Sequence, residues 1–106
     1  MREMTVQEIN AYLREADPFP MLLDVREPWE YGICHLPNTE LIPMRTIPVE
    51  LGKLDTTKEI IVICHHGVRS HHVARFLEQH GFDNVVNMMG GMAAWARDID
   101  PTMATY

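Results

Sequence analysis

Several features that would steer the reading elsewhere are scarce or missing. Only two of the 106 residues are cysteine, Cys34 and Cys64, too few for the disulfide framework of a small secreted domain. No apolar run approaches the roughly 20 residues that span a bilayer. The opening Met1-Arg-Glu-Met-Thr5 carries no apolar leader, so a cytoplasmic location is expected. Basic residues are outnumbered, nine Lys and Arg against fifteen Asp and Glu, for a formal charge of -6. No basic stripe is left over, and neither a nucleic-acid nor a membrane partner is expected. There is no internal repeat and no low-complexity segment. What remains, 46% apolar and 23% charged, is an ordinary globular composition, and the length suits one domain over 1–106.

The apolar spacing then sets the order of elements. Thr5-Val-Gln-Glu8 reads as a capping box, with Val6, Ile9, Tyr12 and Leu13 on one helical face until Asp17-Pro18. Met21 to Val25 predicts a buried strand, and Pro28 opens a short helical turn through Trp29-Glu30-Tyr31. Pro37-Asn38 marks a turn, Glu40 to Ile42 a small strand, and Ile47 to Leu51 a helical turn or two. Ile60 to Cys64 is the central strand. A helix is predicted from Ser70, with Val73, Phe76 and Leu77 inward and Gly81 at its C-terminal turn. Val85 to Met88 is the last strand, Gly90-Gly91 leads into a helix carrying Met92, Trp95 and Ala96, and 98–106 is expected as a surface tail. This alternation predicts an α/β domain with helices on both faces of a mainly parallel sheet of about five strands. Functional loops then gather at the carboxyl ends of the strands. Asp24-Val-Arg26 and Cys64 both stand at such ends and share one crevice.

Chemistry concentrates in Cys64-His65-His66-Gly67-Val68-Arg69-Ser70. A cysteine at a strand end, followed by a glycine loop, an arginine and a helix start, places sulfur over backbone N–H groups. Those dipoles and Arg69 favour the thiolate. The bland alternative is a packed small hydrophobe, as free cysteines often are. Four residues separate Cys64 from Arg69; cysteine phosphatases have a similar loop with five, which surrounds a phosphate. The tighter ring suits a terminal sulfur or a sulfonate oxygen. His65, His66, His71 and His72 crowd the loop but show no zinc-ligand spacing, so no metal or other cofactor is expected. Protonated, they would favour the thiolate; otherwise they are solvent-exposed bystanders. Asp24 and Arg26 are read as a supporting pair on the crevice wall, and Glu30 as a partner for a nearby arginine. Cys34 is a packed thiol or a resolving one.

Four stretches together resemble a known family. Asp24-Val-Arg-Glu-Pro-Trp-Glu-Tyr31, His35-Leu-Pro37, Cys64-His-His-Gly-Val-Arg-Ser70 and Gly90-Gly-Met-Ala-Ala-Trp95 occur in the order found in single-domain rhodaneses, the thiosulfate-type sulfurtransferases. The resemblance implies a rhodanese-like three-layer α/β/α fold and a two-step relay. Cys64 takes the outer sulfur of a donor such as thiosulfate and passes it to a nucleophilic acceptor. It also implies that His65, His66, Gly67, Val68, Arg69 and Ser70 bind the substrate. Backbone N–H groups of 65–69 cradle the persulfide, Arg69 holds the anionic donor, and Ser70 caps the helix or donates to sulfur. Acceptors in keeping with it are cyanide, a thiol or a sulfur-carrier protein. Ile33-Cys-His-Leu-Pro37 and the Asp98-Ile-Asp-Pro tail are similar to rhodanese domains fused to adenylating enzymes. Two other readings stay open: a non-catalytic rhodanese-like binding module, and a small cysteine phosphatase or arsenate reductase.

Overall fold

In the computed structural model, which describes residues 1–106, the capping box forms as its spacing predicts. The Glu8 N–H donates to the Thr5 hydroxyl at 3.1 Å, and the Thr5 N–H donates to the Glu8 carboxylate at 2.9 Å. This starts α1 (Val6–Leu13). The helix stops short of Asp17-Pro18 because the N–H groups of Glu15 and Ala16 both turn back onto the Tyr12 carbonyl. Tyr12 is left partly exposed while Val6 and Ile9 are buried.

Five strands, β1 (Arg2–Met4), β2 (Met21–Asp24), β3 (Thr39–Leu41), β4 (Ile60–Ile63) and β5 (Val85–Met88), form one sheet in the order β1-β5-β4-β2-β3. Every neighbouring pair is parallel. The helices α2 (Pro28–Ile33), α3 (Ile47–Glu50), α4 (Val68–Gln79) and α5 (Gly91–Asp98) complete the three layers. β1 lacks a sequence signal: three residues on a sheet edge, paired only with β5, need no alternating pattern.

β4 is buried on both faces, and its alternation assigns each side chain to one of two cores. Ile60, Val62 and then Cys64 join Val73, Ala74 and Leu77 of α4. Ile61 and Ile63 face the other way, toward Val6, Ile9, Met92 and Trp95 of α1 and α5. Cys64 thus lies on the α4 side because of its parity along the strand.

The helix expected from Ser70 begins two residues earlier, at Val68. Gly67 adopts a left-handed φ of 95° and acts as the N-cap residue. The tail also differs from a plain surface segment, since Met103 packs against the α1–α5 core.

One close approach ties the last turn to the loop after β4. The Met92 N–H donates to the Cys64 carbonyl at 2.9 Å, and the Ala93 N–H donates to the His65 carbonyl at 3.0 Å. Gly91 has a φ of 60°, and a Cβ built there would fall on those same two carbonyl groups. Gly32, inside α2, has open space around its Cα. Gly91→Ala should therefore lose about 3 kcal/mol or more, whereas Gly32→Ala should gain about 0.5 kcal/mol as a helix substitution. Urea unfolding of both variants checks this, and equal midpoints would refute the contact.

Candidate active site

Cys64 is 1% exposed, yet its sulfur engages the loop rather than apolar neighbours alone. The Gly67 N–H donates to Sγ at 3.0 Å, and Ser70 Oγ lies 3.2 Å from Sγ. The left-handed turn at Gly67 brings that N–H inward. The N–H groups of His65, His66, Val68 and Arg69 donate to no acceptor within the protein. The first two lie in the loop and the last two at the open start of α4. Gly67 is thus the one backbone donor on Sγ itself, and four others border the loop unused.

Ser70 is buried in the first turn of α4, not at its cap. Its hydroxyl donates to Asn87 Oδ1 on β5, which leaves an oxygen lone pair for the Cys64 thiol. Asn87 in turn donates to the Glu3 carboxylate at 2.9 Å and to the Gly67 carbonyl at 3.2 Å. It therefore holds both residues that touch the sulfur. A buried polar residue in the middle of an apolar strand is the signal that marks Asn87 in the sequence. Glu3 is further pinned by His71 at 2.8 Å.

On the other side of the loop lie two ion pairs. Arg26 and Asp24 are fully buried and bidentate, Nε to Oδ1 at 2.9 Å and Nη2 to Oδ2 at 2.8 Å. Arg69 meets Glu30 the same way, at 2.7 and 2.8 Å. Tyr106 joins the pairs: its hydroxyl accepts from Arg26 at 3.1 Å and donates to Glu30 at 2.8 Å. Its ring stacks on His65 with centroids 4.1 Å apart, and the Trp29 ring meets it edge-on at 5.4 Å.

These contacts set the charges. The Arg69 hydrogen bonds hold the Glu30 carboxyl down at about 2, against the pull of burial. Arg69 is raised by the same Glu30 contact. Burial opposes the charge on Arg26, but the hydrogen bonds to Asp24 and Tyr106 outweigh it and its pKa rises. Burial pushes the Tyr106 phenol up to about 12. His65 is lowered, first by burial and then by His66 beside it, so this ring is neutral at neutral pH.

The structure therefore gathers all of the sequence-derived candidates, Asp24, Arg26 and Cys64 through Ser70, at the carboxyl ends of β2 and β4. Arg69 differs from the expectation of a free anion anchor: Glu30 occupies both of its terminal nitrogens. Cys34 and Cys64 are both free thiols, and Cys34 is half-buried. Trp29 is 63% exposed at the rim, whereas Trp95 is in the core. Two clefts border the loop. A narrow one of about 100 Å³ runs between His65, Cys34 and the tail residues Ala104 to Tyr106. A wider one of about 390 Å³ is lined by His66, Gly67 and Val68. No group of three His, Cys, Asp or Glu side chains is placed to hold a metal ion, and no helix is long and apolar enough to cross a membrane.

A five-stranded parallel sheet that delivers a cysteine from its central strand to a loop at a helix start defines a class of α/β proteins. Residues 5–98 match the rhodanese-like domain model, and the chain belongs to that family. It is 32% identical over 84 residues to a sulfurtransferase of Allochromatium vinosum, covering 79% of this chain and 78% of that protein. It is 39% identical over 89 residues to the adenylyltransferase and sulfurtransferase uba4 of Ogataea parapolymorpha, covering 82% of this chain but only 23% of that protein. The crystal structure of a rhodanese-like domain protein from Staphylococcus aureus superposes with a TM-score of 0.83 at 38% identity, over 90% of this chain and 91% of that one.

The depressed pKa of Glu30 has a direct consequence for stability. A carboxylate held at about 2 in the folded protein, against 4.5 when free, contributes fully above pH 4.5 and loses that contribution as pH falls toward 2. Glu30→Gln should cost about 2 kcal/mol at pH 7. The gap from wild type should close between pH 4.5 and 2, read by urea unfolding at each pH. A gap that stays constant over that window would mean the ion pair is not what Glu30 contributes.

Proposed function

We propose that this domain is a sulfurtransferase that carries a sulfane sulfur as a persulfide on Cys64. The observation that carries the reading is the seat of Sγ: one N–H donor already on the sulfur and four unused N–H groups around the loop. Preorganised donors of this kind favour the thiolate and a terminal persulfide anion alike, at little cost in reorganisation. The Cys64 thiolate attacks the outer sulfur of a donor. A new S–S bond forms while the donor's bond to that sulfur breaks. The leaving group departs with the electron pair, as sulfite from thiosulfate or as a thiolate from a thiol persulfide.

In the second step an acceptor nucleophile attacks the terminal sulfur and restores the Cys64 thiolate. Cyanide is the test-tube acceptor for this chemistry, and a thiol or a sulfur-carrier protein the cellular one. The likeness to a relative named adenylyltransferase and sulfurtransferase supports a carrier-protein acceptor. The free state of Cys34 and Cys64 suits a reducing, cytoplasmic compartment. In this reading His65, His66, Gly67 and Val68 contribute mainly backbone, Ser70 accepts from the Cys64 thiol while its own proton goes to Asn87, and Asp24 with Arg26 braces the crevice wall. Phosphoryl transfer is disfavoured because the loop is one residue shorter than a phosphate cradle and its arginine is bound to Glu30.

Incubation with a sulfane donor followed by intact mass measurement tests the reading. Wild type should gain the mass of one sulfur atom, lose it on treatment with cyanide, and Cys64→Ser should gain nothing. A wild type that takes up no sulfur from any donor points to the binding module instead.

A further inference from the structure

Among the side chains only Ser70 hydrogen-bonds the Cys64 sulfur, and the direction of that bond decides which form of the thiol it favours. The direction is set from β5. The carboxylate of Glu3 and the carbonyl of Gly67 accept and cannot donate, so the Asn87 amide turns its NH2 to them, at 2.9 and 3.2 Å. Its oxygen is left facing Ser70, and an amide oxygen only accepts. The Ser70 proton therefore goes to Asn87, and a lone pair faces Sγ at 3.2 Å. Glu3 and Asn87 meet because they stand opposite each other in the β1–β5 register, with side chains on one face of the sheet.

A thiol donates to that lone pair, whereas a thiolate meets it as a second electron-rich atom. If the hydroxyl turns to donate to the thiolate, the Asn87 oxygen loses its donor inside the core, where the loss is costly. The chain of hydrogen bonds from Glu3 thus opposes ionisation, against the Gly67 N–H, which favours it. We propose that Asn87 is a positioning residue that sets the protonation of Cys64, by taking the Ser70 proton and leaving the serine as an acceptor for the thiol. The chain ends on an amide oxygen, so it orients the thiol proton and does not carry it away; on ionisation that proton passes to solvent. The other charges around the sulfur are the Asp24–Arg26 pair, Glu30 with Arg69, and Glu3 with His71. Arg69 also keeps N–H groups that Glu30 does not use. His65, His66 and Tyr106 adjoin from the loop and the tail. Protonation of Cys64 needs no sulfur donor, but its bearing on turnover rests on the carrier reading. When a persulfide forms, the negative charge moves one atom outward, so the bias acts on the unloaded thiol and not on the loaded one.

The test follows the ultraviolet absorbance of the Cys64 thiolate against pH in Cys34→Ser protein, with protein carrying both Cys34→Ser and Cys64→Ala as the blank. Ser70→Ala should move the midpoint down by about half a pH unit or more, because the thiol loses its acceptor. In Asn87→Leu the freed hydroxyl can donate to the thiolate, and there Ser70→Ala should move the midpoint up. A loss of packing gives no such reversal. With Asn87 in place, a rise makes Ser70 a donor to the sulfur and an unchanged midpoint makes it no partner; either overturns the inference. A fall or no shift in the Asn87→Leu background overturns the role given to Asn87. Should Asn87→Leu fail to fold, the infrared S–H stretching band decides. It should lie at lower wavenumber in Cys34→Ser protein than after Ser70→Ala is added, and bands at one position overturn the inference. Sulfur uptake is measured on the same proteins. A Cys64 that ionises as stated but takes up no sulfane sulfur overturns the carrier reading and leaves the role of Asn87 standing.

Discussion

The close contact of two backbones, at Gly90-Gly91 and at Cys64-His65, is the constraint on which the site depends. The carbonyls of Cys64 and His65 accept from the first turn of α5, so those two peptides are held with their oxygens outward. On the sulfur itself the Gly67 N–H is the backbone donor. Nothing larger than hydrogen fits at Gly91 without striking those carbonyls, and a Cβ at Gly67 would come within 3.0 Å of the Gly90 nitrogen. The glycines at 67, 90 and 91 thus work as one interface. The gain is a loop whose path is held by backbone contacts alone.

A second constraint is electrostatic. An arginine as deeply buried as Arg26 survives only with its donors satisfied, and Asp24, the Cys34 carbonyl and Tyr106 do this. Removing any one leaves a guanidinium donor unpaired in a place water does not reach. The Asp24–Arg26 pair fixes the chain after β2, which carries α2 and hence Glu30. Glu30 fixes Arg69, and Arg69 sits one residue before Ser70. Side chains 40 positions away in sequence therefore reach the sulfur through two consecutive bidentate contacts rather than by touching it.

The legible parts of the fold were those with a local physical cause. The Thr5–Glu8 box, the apolar runs at β2, β4 and β5, and the loop from Cys64 to Ser70 each declare themselves within a few residues. Asn38 is a small case: the Pro37-Asn38 pair marks a turn, and Asn38, a residue type that tolerates the left-handed region, has a φ of 63°. Ser70 misled for a good reason. A serine ahead of an apolar periodic run is the usual mark of a helix N-cap. Here the left-handed glycine at 67 starts the helix two residues sooner and rotates the serine inward, onto the sulfur. β1 and Tyr106 had no local mark at all. The tyrosine's partners lie 76 and 80 positions back along the chain, and a segment without periodicity gives no hint that one hydroxyl will be buried.

The same distinction explains why Arg69 was assigned by sequence to the donor and by structure to Glu30. A cation one helical turn from a nucleophilic thiol is a natural anion anchor, until a buried carboxylate is found to match its planar fork. Between a solvated dianion and a carboxylate already desolvated and oriented by the Glu27 N–H and Tyr106, the carboxylate wins, because its desolvation was met during folding. An external anion competing for those two N–H groups would have to break two short hydrogen bonds. The guanidinium thereby fastens the start of α4 to α2. Trp29, Val68 and Tyr106 remain as exposed apolar side chains beside the loop.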